Sequence, residues 1–246
     1  MAGSPVRDRP TTRLHRRGPV LVLTLDRPEV RNAYDRRMRD EVFAALGLAA
    51  SDPSVRVLLV RGAGPSFCAG GDLAEFGTAP SPVRAREVRQ VRDVWSRWAT
   101  LPCISIAAVQ GHAAGGGLEM ALLCDLIVCA DDARFGLPET GLGLIPGVGG
   151  TQTLPRAIGS GRAASMILSG RWIGAREALR VGLAVEVVAR DRLDAEARRL
   201  AARIARIDGG LLRALRESIR RGRDLPLAEA LGLERRLARR LGRETR

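Results

Sequence analysis

Two glutamates, Glu119 and Glu139, stand twenty residues apart, each within a glycine-rich segment. Glu119 follows Gly115-Gly116-Gly117 in the run GHAAGGGLEMALLCD, and Glu139 lies in FGLPETGLGLIPGVGGTQ, from Phe135 to Gln152. A third glycine turn, FCAGGDL at 67–73, precedes both. Carboxylates hold and move protons, and bare glycine backbone lets N–H groups approach a developing oxyanion closely. Gly70-Gly71-Asp72 and Gly115-Gly116-Gly117 are each expected to follow a strand and open toward a helix. Each can then present free N–H groups at a helix N-terminus. Two such donors meeting at one oxygen would stabilise an enolate, and losing one donor in a comparable site costs about 3–4 kcal/mol. The combination points to acid–base chemistry beside an activated carbonyl. Taken singly, each feature has a plainer reading. The glycines can be tight turns, Glu119 a first-turn acid complementing the helix dipole, and Glu139 a loop carboxylate bonded to backbone.

Other chemistries find little support. Neither glycine run has the spaced glycines and following acid of a dinucleotide site, nor the lysine of a phosphate loop. No serine sits in a strand–turn–helix elbow. The two histidines, His15 and His112, are far apart, which argues against a metal site. His112 in a turn and Asp125 at a strand start read as structural. The cysteines Cys68, Cys103, Cys124 and Cys129 lack both metal-ligand spacing and a disulfide framework, so buried reduced thiols are expected.

The elements that must position these residues alternate between strand-like and helix-like pieces. Thr12 to Arg17 and Pro19 to Leu25 predict a hairpin across Gly18, and the stretch from Asp35 to Leu48 repeats apolar residues at helical spacing. Arg56 to Arg61 reads as a short buried strand. Pro80 to Pro82 predicts the start of a long helix running to about Thr100 and burying Val88, Val91, Val94, Trp95 and Trp98. Cys103 to Val109 is a strand feeding the glycine run, where a helix begins with Glu119 in its first turn; Leu126 to Ala130 is the next strand. The segment around Glu139 is too rich in glycine and proline for regular structure. Beyond Ser160 short helices at 162–168 and 175–181, a strand at 184–188 and three helices, 191–207, 211–221 and 225–241, are expected. Leu233, Leu237 and Leu241 give the last helix a narrow apolar face that needs a partner. The pattern is that of an α/β core, here residues 1–190, followed by a helical region, 191–246.

The 246 residues suffice for one large domain. Lysine is absent, so arginine carries the net charge of +13. Such a charge suits nucleic acid, an anionic membrane or a phosphorylated ligand. Acids are interleaved with the bases, however, and aromatic residues are scarce in the basic stretches, which argues against a nucleic-acid surface. No run approaches the ~18 apolar residues of a membrane span. The first apolar run, Val20 to Leu25, reads as a strand rather than a secretory signal, and a cytoplasmic location is expected.

Taken together the segments resemble the crotonase superfamily, the enoyl-CoA hydratase/isomerase family, and most of all an enoyl-CoA hydratase. The likeness runs in order through LDRPEVRNAYD at 25–35, GPSFCAGGDLAEF at 64–76, AVQGHAAGGG to TLPRAIG at 108–159, and SGRWIGAREALRVGLAVEVV at 169–188. It implies a spiral of ββα units with a C-terminal helical region that builds trimers or dimers of trimers. It also implies a coenzyme A thioester substrate, with no further cofactor and no metal. By motif position the oxyanion donors fall on the N–H groups of Gly71 and Gly116, and the two hydratase carboxylates on Glu119 and Glu139. Gly147, in IPGVGG, matches a position that helps place the water. Many relatives with other reactions replace one or both glutamates, so their joint presence selects hydration of a trans-2-enoyl-CoA to a 3-hydroxyacyl-CoA, or the reverse. In that pattern Glu119 accepts the water's proton and Glu139 supplies one to the α-carbon.

Two departures stand out. Where many relatives carry a lysine after the FCAGGD turn, this chain reads Leu73-Ala74-Glu75, and the chain ends soon after LERRLARRLGRETR, short of a last helix that relatives commonly have. The alternatives are a double-bond isomerase or a specialised biosynthetic enzyme acting on a CoA or carrier-protein thioester. In another class stands an RNA-binding relative, as the arginine-rich surface would suggest.

Overall fold

The computed structural model describes residues 9–75, 77, 78, 81 and 91–244. Its framework is a six-stranded sheet built from β1 (Thr12–Arg17), β2 (Val20–Leu25), β3 (Val57–Gly62), β4 (Ile104–Val109), β6 (Leu126–Ala130) and β9 (Glu186–Val188), side by side in that order. The β1–β2 hairpin is antiparallel, with Thr12 opposite Leu25, and every later pairing in this sheet is parallel. Parallel strands covered on both faces need apolar side chains at nearly every position, which is why VLVLTL, VLLV and LIVCA are continuous runs. Successive residues then serve opposite faces. Leu21, Leu23, Leu58, Val60 and Ala107 pack with Met38, Val42 and Leu46 of α1 (Arg36–Ser51) and with Trp98. Val22, Val57, Leu59, Ile106 and Val128 pack with Leu193, Ala197 and Leu200 of α7 (Leu193–Ile204) on the other.

A second, three-stranded sheet joins β5 (His112–Ala114), β7 (Arg134–Gly136) and β8 (Ile173–Gly174). The chain visits it after β4 and again after β6. Helices α3 (Gly116–Leu123) and α4 (Gly150–Ile158) follow these two visits, so the ββα unit repeats as a spiral. Then come α5 (Ser160–Ser169), α6 (Ala175–Arg180), α7, α8 (Gly209–Gly222) and α9 (Leu227–Glu244).

Several expectations need correction. The helix expected from Pro80–Pro82 to about Thr100 falls largely outside the described residues, and within them its last part is α2 (Val94–Ala99), capped by Asp93, whose side chain accepts the Ser96 N–H. Val91 is 77% exposed rather than buried, and Val88 lies outside the described residues. The Glu139 segment is not irregular throughout, because Pro138–Leu142 forms a 3-10 turn, a conformation that proline at its first position favours. The Gly70–Asp72 turn follows an isolated bridge between Cys68 and Ala113 and leads into a 3-10 turn at Leu73–Glu75, not from a regular strand into an α-helix. Helix α4 lies in a stretch to which the sequence reading assigned no element. The helix expected at 191–207 begins with a 3-10 turn and ends at Ile204. The apolar face of α9 finds its partner within the chain, as Leu233 and Leu237 close on Ala214 of α8 with Leu225 and Leu241 at the margin.

Candidate active site

Gly70 has φ +95°, a conformation that glycine adopts without a steric penalty, and its carbonyl accepts the Tyr34 N–H at 2.7 Å. The C=O and N–H of one trans peptide point in opposite directions, so pinning the Gly70 carbonyl turns the Gly71 N–H the other way. The Gly71 nitrogen lies close to Gly116, 3.8 Å from where a methyl group on Gly116 would stand. Gly116 is the first residue of α3, so its N–H has no partner within the helix. The carbonyl of the same peptide, Gly115, is taken by the Glu119 N–H at 2.9 Å, which aims the Gly116 N–H outward. Among the described residues neither N–H is donated to a loop or cap carbonyl.

The turn and the helix are drawn together by further bonds. Ala114 donates to the Cys68 carbonyl and Cys68 to the His112 carbonyl, each at 3.0 Å. A side chain at Gly117 would lie 2.3 Å from the Cys68 oxygen, so only glycine permits this approach. Asn32, wholly buried, donates its side-chain amide to the carbonyls of Ala63, Ser66 and Phe67 and accepts the Arg27 N–H. It thereby locks the 27–34 loop against the segment that leads into the turn.

The two glutamates flank this pair of donors. Glu119, 2% exposed, projects from the first turn of α3. Its Oε1 accepts the N–H groups of Val148 at 3.0 Å and Gly150 at 2.7 Å. Gly150 opens α4, so this oxygen sits at a helix N-terminus, where a negative charge is favoured. A methyl group at Gly150 would stand 3.0 Å from Oε1 and also 3.0 Å from Leu137. Glu119 Oε2 points the other way, 4.0 Å from where a Gly116 methyl would be. Glu139 enters from the 3-10 turn, and its Oε1 would lie 2.7 Å from a side chain at Gly115, whose φ of +49° already favours glycine. Glu139 Oε2 is buried with no hydrogen-bond partner among the described residues. Burial is the largest cause raising the pKa of both carboxyls. For Glu119 the two backbone N–H bonds oppose the rise and the Glu139 charge adds to it; for Glu139 only its own backbone N–H opposes it.

The enoyl-CoA hydratase/isomerase profile matches residues 15–246. The chain belongs to the enoyl-CoA hydratase/isomerase family. The 2,3-dehydroadipyl-CoA hydratase of Escherichia coli is 38% identical over 218 residues, covering 89% of this chain and 85% of that protein. The fold superposes on an enoyl-CoA hydratase from Geobacillus kaustophilus with a TM-score of 0.89 at 38% identity, over 94% of this chain and 89% of that one. The Bacillus anthracis enoyl-CoA hydratase gives 0.88 at 34% identity, over 93% and 90%. The α/β architecture with its C-terminal helices is thus the crotonase fold of this family.

Within that family frame the four residues Gly71, Gly116, Glu119 and Glu139 come to one place. Gly147 is exposed on the loop whose next residue, Val148, donates to Glu119. Asp125 and His112 stand apart from the pair. Asp125 accepts the Ser105 N–H and hydroxyl and pairs with Arg216 and Arg220, while His112 meets Trp172 edge-on. All four cysteines are free and buried. Among the described residues no group of acids, histidines and cysteines could hold a metal ion, and no helix is long and apolar enough to cross a membrane. Sequence reasoning missed Val148 and Gly150 as the groups that hold Glu119. The available signal was the Gly149-Gly150 pair, with Gly149 at φ +119° opening α4.

Proposed function

We propose that the protein adds water to a trans-2-enoyl-CoA thioester to give a 3-hydroxyacyl-CoA, or runs the reverse dehydration. The observation that carries this reading is the convergence of two unspent N–H groups with two carboxylates held on different elements, Glu119 buried and Glu139 half-buried. The thioester oxygen would lie between the N–H groups of Gly71 and Gly116, which strengthen their hold as charge moves onto it. Glu119 takes a proton from water as the water oxygen bonds to the β-carbon. The electron pair of the double bond shifts to make the enolate, and Glu139 delivers a proton to the α-carbon as the enolate collapses. Each turnover therefore exchanges the protonation states of the two glutamates, which titrate as a pair. Two N–H donors favour the charged form of Glu119, whereas Glu139 Oε2 has none among the described residues, which supports the assignment of base and acid. The Gly147 loop would help seat the water beside Glu119. Only protons and water move, so the step as drawn calls for no cofactor beyond the coenzyme A of the substrate. The same reading extends to a cytoplasmic enzyme that associates as a homotrimer or dimer of trimers.

Hydration removes the conjugated enoyl absorbance and adds the mass of one water. Glu119→Gln and Glu139→Gln should each lower kcat by about 10²–10⁴-fold, the usual range for losing a general acid or base, with KM within a few-fold. Full activity in either variant, or a product of unchanged mass, would overturn the assignment.

A further inference from the structure

The Gly71 N–H belongs to a peptide between two glycines, the backbone least able to hold an orientation by itself. Its partner segment, 31–35, is no regular strand. The two meet in a single bridge, Tyr34 with Gly71, made by the Tyr34 N–H on the Gly70 carbonyl and the Asp72 N–H on the Tyr34 carbonyl at 3.0 Å. Beside this bridge lies one guanidinium. Arg27 Nη1 is 2.7 Å from the Ala33 carbonyl, 3.0 Å from Asp72 Oδ2 and 3.1 Å from Asp35 Oδ2. It therefore touches residues adjacent to both halves of the bridge, Ala33 and Asp35 around Tyr34 and Asp72 next to Gly71. The two carboxylates have second anchors. Asp72 Oδ1 accepts the Ala74 N–H at 3.1 Å, and Asp35 Oδ1 caps α1 by accepting the Met38 N–H at 2.7 Å. All three side chains are less than one-fifth exposed, so solvent screens the tie less than a surface pair.

Arg27, through Asp72 and Asp35, is inferred to be a positioning residue that fixes the direction of the Gly71 N–H and so sets the polarising power of the oxyanion site. We infer this from the guanidinium's contacts on both sides of the bridge that, among the described residues, holds the Gly70–Gly71 peptide, and it rests on the enolate reading above. All three contacts leave from the single atom Nη1, which sits one bond farther from the backbone than a lysine nitrogen, so Arg27→Lys keeps the charge and withdraws the reach. The tie touches neither glutamate, so its loss should weaken the donor without disturbing the proton transfers.

The probe is butyryl-CoA carrying ¹³C at the thioester carbonyl, which accepts the hydrogen bonds but has no double bond to hydrate. Its carbonyl stretch, read by difference infrared spectroscopy on the bound complex, reports how strongly the carbonyl is polarised. Wild-type protein should lower the stretch, and Arg27→Lys and Asp72→Asn should each return it part-way toward the value in water. With crotonyl-CoA, kcat should fall about 10- to 100-fold, the range for a misplaced catalytic contact, with KM changed less than about three-fold. The double variant should lose little more than either single one, because both remove the same tie. An unshifted stretch in wild type would remove the enolate reading itself. A normal wild-type shift that persists unchanged in both variants would overturn the role of Arg27 alone, and Arg27→Lys tests it should Asp72→Asn fail to fold.

Discussion

Glu139 carries a buried Oε2 atom without a hydrogen-bond partner among the described residues, and burial raises its pKa above that of an ordinary carboxylate. A group whose pKa is higher folded than unfolded takes up protons on folding. The stability it contributes is complete below the unfolded value, about 4.3 for glutamate, and is lost as pH rises through the folded value. Glu139→Gln should therefore melt at a higher temperature than wild type near pH 7–8, with the gain vanishing near pH 4, even as the proposed function has it losing activity. Thermal melts across that pH range check it, and a lower melting temperature at neutral pH would contradict it. Removing the Glu139 charge also lowers the Glu119 pKa, because that charge is one of the causes raising it. At this scale the sequence was legible where chemistry needs a residue type. Both glutamates and the glycines of both turns proposed to hold the oxyanion could be named from their runs. The clearance that Gly115 gives Glu139 was not legible, nor was the grip of Val148 and Gly150 on Glu119. Those contacts cross loops of about thirty residues or depend on a backbone angle.

Helix α3 has only two turns, and its position depends on what grips its ends. At the C-terminal end Asp125 accepts from Arg216 and Arg220 of α8, and those arginines also donate to the carbonyls of Leu101 and Leu123. The Arg216 side chain is 7% exposed and Asp125 14%. Truncating one member of a buried pair leaves the other charge uncompensated, so Arg216→Ala should cost about 3–5 kcal/mol of unfolding free energy, measured in urea. A loss below about 1 kcal/mol would show that Arg220 alone suffices. Reading Asp125 as structural was possible from sequence, but its partners were not, because they lie about ninety residues further on. The strands were the most legible elements, since a sheet covered on both faces demands unbroken apolar runs. The least legible was α4, whose opening glycines and internal Pro155 resemble loop chemistry. Only docking beneath Glu119 makes it a helix with its N-terminus in use.

The outer face of α8 shows Leu211, Leu215 and Ile219 to solvent, the last 71% exposed, and α9 adds Leu227 at 75% and Leu231. Residues spaced four apart along one helix form a contiguous stripe, and such stripes mark association surfaces. If the proposed trimer uses this face, Leu215→Glu combined with Ile219→Glu should give monomers in sedimentation while leaving the fold intact by circular dichroism. A trimer that survives the pair of charges would move the contact elsewhere. The long apolar runs, the ordered motifs and the paired glutamates were enough to specify an α/β spiral of the enoyl-CoA hydratase/isomerase family and the residues its chemistry would need. Local chemistry dictates residue type, and residue type is written in the chain. Tertiary structure decided which N–H groups hold Glu119, that Glu139 Oε2 has no hydrogen-bond partner among the described residues, and that one arginine spans the bridge at the Gly70–Gly71 turn. Each depends on where segments distant in sequence come to rest, and that follows from the packing of the whole core rather than from any local run of residues.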